Sequence, residues 1–129
     1  NQVQLHNLVA YWIGPRAGYK YTLNVTADSQ VYVRYLPEGT SPGSPDSEFV
    51  VVGSYPQKDA FDITAAAGTQ ENSVTFVNGD GAQVFYNKLL MSNVYLAYPN
   101  QDHEIEIYSP VSGDAVLYAT TPGQVSLVQ

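Results

Sequence analysis

Cysteine is absent from this chain of 129 residues, which excludes a disulfide framework and a thiolate metal site. Charge is nearly as scarce. Aspartate, glutamate, lysine and arginine make up 13% of the residues, about half the usual quarter for a soluble domain. Three lysines (Lys20, Lys58, Lys88) and two arginines (Arg16, Arg34) stand against twelve acids, a formal net charge of -7. A nucleic-acid partner needs a basic footprint and so does an anionic membrane surface, so neither is expected. No apolar run approaches the roughly 20 residues that cross a bilayer, and no membrane span is expected.

The usual chemistry is missing as well. Histidine occurs twice, at His6 and His103, and His103 has only Ile105 at the i+2 offset where a strand would place a second metal ligand. There is no G-x-S-x-G elbow. Asn78-Gly79-Asp80-Gly81 lacks the alternating acids of a calcium loop and reads as a hairpin turn. Glu104 and Glu106 share a strand face roughly 7 Å apart, within the range used by inverting glycosidases. Outward charges on a half-exposed strand have the same spacing, and no catalysis is assigned to them. The expectation is a non-enzymatic protein with no catalytic residue, no metal and no cofactor.

What the chain does contain is tyrosine, eleven in all, and alternation of period two. From Val3 the odd positions run Val3, Leu5, Asn7, Val9, Tyr11, Ile13, which predicts a first strand over residues 2–13, stopped by Gly14-Pro15. Tyr19, Tyr21, Leu23 and Val25 alternate with Lys20, Thr22, Asn24 and Thr26 in a second strand. Val31 to Leu36 is β-branched and aromatic, and Pro37 ends it. A long loop rich in turn formers follows from Pro37 to Ser47. Phe49 to Val52 reads as a strand buried on both faces. Asp59 to Ala67 is the only segment expected to be helical. Val74 to Val77 and Ala82 to Tyr86 flank the Asn-Gly turn as a β-hairpin. Val94–Tyr98 and His103–Tyr108 are further strands, and the latter turns Ile105 and Ile107 inward. Ala115–Ala119 and Gln124–Val128 complete the chain as short strands, the first with the alternative of a helical turn.

About nine or ten short strands separated by turns every 8–12 positions, with at most one short helix, predict a single all-β domain over residues 1–129. It should be an antiparallel β-sandwich or jelly-roll-like fold. Its core is expected to contain Val33, Val51, Phe76, Phe85, Leu96, Ile105 and Ile107. Asn24-Val25-Thr26 is the only N-glycosylation sequon, with Asn24 on the polar face of its strand, so a glycan there is a candidate modification.

Strand edges in soluble β proteins are normally blunted by charge, above all lysine. This chain has almost none to place, so its edges are expected to be closed on themselves or paired by another chain. The alternating first strand suits the second option: residues 2–13 would be donated to a neighbouring subunit, with Val3, Leu5, Val9, Tyr11 and Ile13 as anchors. A head-to-tail contact of that kind builds a filament of identical copies. In this pattern the chain resembles the small β-sandwich subunits of donor-strand pili. The resemblance implies an extracellular or cell-surface structural protein, a homo-oligomer joined by β-strand addition. A start at Asn1 without methionine or tag suits a mature, processed chain. Two alternatives remain open. One is a monomeric secreted binding module, for carbohydrate or protein, that uses its tyrosines as a stacking surface. The other is a small acidic immunity or inhibitor protein.

Overall fold

The computed structural model describes residues 8–39 and 49–128. Among these residues nine strands form in chain order: β1 (Tyr11–Trp12), β2 (Tyr19–Val25), β3 (Val31–Pro37), β4 (Val51–Pro56), β5 (Ser73–Val77), β6 (Gln83–Asn87), β7 (Asn93–Ala97), β8 (His103–Tyr108) and β9 (Ser126–Leu127). Helix α1 (Ala60–Ala66), continued by a 3-10 turn at Ala67–Thr69, lies between β4 and β5. Helix α2 (Asp114–Thr120) lies between β8 and β9. Seven strands make one antiparallel sheet in the order β2-β3-β4-β8-β7-β6-β5, and β1 pairs with β9 in a separate two-stranded ribbon. The result is the expected mostly-β, sandwich-like fold. Among the described residues no helix is long and apolar enough to cross a membrane.

Register fixes which side chains share a face. One row crosses all seven strands as Leu23, Val33, Val52, Ile107, Val94, Tyr86 and Val74. The row beside it reads Val25, Val31, Ser54, Ile105, Leu96, Val84 and Phe76. This is the core face, and it is covered by the β1–β9 ribbon and by α2, whose Ala115 and Ala119 join the same apolar cluster. The one buried hydroxyl in those rows has a job. Ser54 Oγ accepts the amide of Tyr11 at 2.9 Å and so holds β1 against the sheet. The opposite face carries α1 over the β5–β8 half only, with Thr64 bonded to Glu104 and Gly68 against Thr75.

Several expectations move when placed on this frame. Val33, Leu96, Ile105 and Ile107 are buried as expected, and Phe76 packs half-buried against them. Val51 and Phe85 instead sit on the opposite face, because β4 begins at Val51 and Val52 takes the core position. The segment Ala115–Ala119 is a helix, so the described residues hold two helices where at most one was expected. Ala115 and Ala119, four residues apart, both face the sheet at 1% exposure or less, a helical spacing that outweighs the β-branched look of the segment. Asp59 takes a left-handed φ of 57° just ahead of α1. In the hairpin loop the positive φ falls on Gly81, at 87°, while Asn78 Oδ1 accepts the amides of Asp80 and Ala82. Of the first strand, Val9, Tyr11 and Ile13 are described, and only Tyr11–Trp12 are paired as a strand, with β9. Val3, Leu5 and His6 lie outside the described residues, as does most of the Pro37–Ser47 loop.

Candidate functional site

On the same face as α1, a 2 × 4 grid of side chains spans β3, β4, β8 and β7. One row is Tyr32, Gly53, Glu106, Tyr95, and the next is Arg34, Val51, Tyr108, Asn93. Between them opens a groove of about 300 Å³, lined by Tyr32, Arg34, Phe49, Val51, Gly53, Tyr55, Asn93, Glu106 and Tyr108. That volume is at the lower end of the range for small-molecule sites.

Glu106 is its fixed polar point. Its carboxylate accepts from Tyr55 Oη at 2.6 Å, from Asn93 Nδ2 at 2.5 Å and from Tyr95 Oη at 3.3 Å. The three donors come from β4 and β7, on either side of β8, so the carboxylate is clamped by both of its neighbours. Gly53 makes the longest reach feasible. Tyr55 is opposite Glu104 in register, yet it bonds Glu106. It does so by lying back across Gly53, where an added Cβ would stand 2.6 Å from the Tyr55 hydroxyl. Burial, and then the Glu106 bond, push the Tyr55 phenol well above its usual value, so it stays a donor at all physiological pH. Tyr32 packs edge-on against Tyr55 at 5.7 Å between ring centroids. The Arg34 guanidinium carbon lies 5.0 Å from the centre of the Phe49 ring. The groove thus combines flat apolar ring surface, one clamped carboxylate, an amide and a guanidinium.

Glu104, two residues before Glu106 on the same face, is in different surroundings. It lies under α1, where Thr64 Oγ1 is 2.7 and 2.9 Å from its two oxygens. Burial, with a smaller push from Glu106, raises its pKa to about 7, against the opposing effect of the Thr64 bond. The two glutamates therefore share a face but not an environment, since one is covered by α1 and the other opens on the groove. His103 is half-buried at the start of β8, and burial lowers its pKa. Among the described residues no group of three His, Asp or Glu side chains gathers as metal ligands would.

Of the expected anchors of the first strand, Val9, Tyr11 and Ile13 are placed inside this chain, and Val3 and Leu5 lie outside the described residues. Tyr11 and Ile13 are 6% and 1% exposed and belong to the core, and Val9 packs against it. Tyr11 also stacks on Tyr98, with centroids 5.5 Å apart. Asn24 is exposed on β2, an outer strand of the sheet. Reading the sequence alone placed Glu104 and Glu106 on one face but missed the groove, because its residues come from four segments separated in the chain. The one local signal was Gly53 interrupting an apolar strand, a mark of close approach by another group. No protein-family model, curated protein or solved structure matches this chain.

Proposed function

We propose that this protein is a non-enzymatic, extracellular or cell-surface binding module whose ligand is carbohydrate, seated in the groove around Glu106. The observation that carries this reading is the clamped Glu106 carboxylate between tyrosine rings. A pyranose presents a flat face of C–H bonds, which packs on an aromatic ring, and an equatorial belt of hydroxyls, which needs rigid charged or amide partners. Tyr32, Tyr55 and Tyr108 offer the first, and Glu106, Asn93 and Arg34 the second. Charge-assisted hydrogen bonds to fixed groups are stronger than neutral ones. Carboxylate and guanidinium in one groove favour a neutral ligand over an ion of either sign. Titration calorimetry against a panel of neutral oligosaccharides tests this. Saturable binding that Tyr32→Ala and Asn93→Ala each weaken about tenfold supports it, and no binding across the panel overturns it.

A second reading, a filament subunit joined by β-strand addition, is favoured by the outer strand β5. Its residues Ser73–Val77 carry no charge, and among the described residues it has a partner only on the β6 side. The bonds Asn78 N to Ala82 O and Lys88 N to Asn72 O set the register in which Thr75 and Val77 turn their backbone groups off the sheet. Such an edge is a template for an added strand. With Tyr11 and Ile13 in this chain's own core, Val3 and Leu5 are the anchors left to donate. Light scattering decides: deletion of residues 1–7 should abolish a polymer that the intact chain forms, and an intact chain that stays monomeric at high concentration removes this reading.

A further inference from the structure

The loop between β1 and β2 passes the first turn of α2, and a second cavity, of about 180 Å³, opens there. Its lining includes Arg16 from the loop, Tyr19 from β2, Tyr35 from β3, and Asp114 and Tyr118 from α2. The Arg16 guanidinium carbon lies 4.4 Å from the Tyr19 ring centre and 5.7 Å from that of Tyr118. Stacking engages the face of a guanidinium and leaves its in-plane N–H fork available for an anion. Asp114 and Tyr118 are one turn apart on α2 and so share one face of the helix.

Arg16 and Asp114 line the same cavity, yet they do not approach within the 4.0 Å of an ion pair. A cation and an anion that line one small cavity without pairing leave room for a molecule that carries both charges. The Tyr35 hydroxyl is already engaged with Ile13 and Gly14, so it offers only its ring. Pro110, Val50 and Val111 extend the apolar wall. The volume is below the roughly 300–1,000 Å³ of sites for drug-sized ligands, which limits the occupant to a small molecule.

We propose that this cavity binds a free α-amino acid with an apolar side chain. Its carboxylate meets the Arg16 fork, its ammonium meets Asp114, and its side chain lies against the Tyr35 and Pro110 wall. The site shares only Phe49 with the carbohydrate groove and none of its polar groups, and its failure would leave that reading untouched.

Calorimetry on the intact protein with L-leucine tests it, alongside leucinamide, which lacks the carboxylate, and N-acetyl-leucine, which lacks the ammonium. Leucine should bind one to one, with each blocked analogue at least about tenfold weaker. Arg16→Gln and Asp114→Asn should each weaken leucine by about the same factor. Absence of saturable leucine binding up to about 10 mM overturns the proposal. Equal binding of the blocked analogues, or full affinity in both variants, overturns it too. Should Arg16→Gln fail to fold, the analogue series on the unmodified protein decides alone.

Discussion

The Tyr35 hydroxyl accepts the amide of Ile13 at 3.1 Å, and it donates in turn to the carbonyl of Gly14 at 2.7 Å. One fully buried side chain of β3 thereby takes the place of a backbone partner for the end of the first strand. Tyr35→Phe leaves the Ile13 amide buried without an acceptor. A stranded buried donor costs about 1–3 kcal/mol, and urea denaturation should show a loss of that size with an unchanged slope.

Ile13 itself should be more costly to change. At 1% exposure it belongs to the main core cluster, and truncating a buried isoleucine to alanine costs about 2–5 kcal/mol. Ile13→Ala should therefore lower the thermal midpoint by several degrees, with no change in particle size by light scattering. A change in size alone would mean that Ile13 packs in a neighbour instead.

Gly53 and Tyr55 are predicted to act as one unit. A methyl group at Gly53 displaces the Tyr55 ring and with it the bond to Glu106. Gly53→Ala and Tyr55→Phe should each lower stability by about 1.5–3 kcal/mol, the range for a hydrogen bond to a charged group. The double variant should lose little more than either single one, a coupling that a double-mutant cycle measures directly.

Glu104 makes stability depend on pH in an unusual direction. Its folded pKa, about 7, is above the ordinary value of 4.5. The folded protein thus holds a proton that the unfolded chain releases between pH 4.5 and 7. Stability from this group is fully present below about pH 4.5, falls as pH rises towards 7, and is flat beyond. Glu104→Gln should flatten that slope and raise stability at pH 8. Thr64→Val, which removes the bond that favours the carboxylate, should steepen it. Denaturation midpoints from pH 4 to 8 check both.

Strand positions were legible in the sequence wherever alternation met a turn former, as in β2, β3 and the β5–β6 hairpin, because one-sided burial imposes period two. Residues Ala115–Ala119 misled for a physical reason. Alanine, valine, leucine and tyrosine suit either conformation in a short stretch, and tertiary burial of Ala115 and Ala119 decided for helix. Phe49–Val52 lost its parity because a continuous apolar run carries no phase, so Val51 and Val52 could not be assigned to faces. The groove was not legible. Tyr32, Gly53 and Glu106 meet through the β4–β8 pairing, which skips three strands of sequence, and no local pattern encodes such a long-range neighbour.

The antiparallel clasp of Tyr11 on Leu127 and Trp12 on Ser126 also has a mechanical meaning. Tyr11, nearer the start of the chain, lies beside Leu127, nearer its end, and Val128 N donates to Ala10 O at the same mouth. Tension applied through the two ends therefore loads these bonds one after another, as a zipper, and not all at once, as in shear. With two residue pairs in register, against seven for β2–β3 and six for β4–β8, the ribbon should open before the sheet does. The bonds of Tyr11 to Ser54 and of Ile13 to Tyr35 do not involve β9, so they should still tie the first segment to the sheet once the clasp has opened.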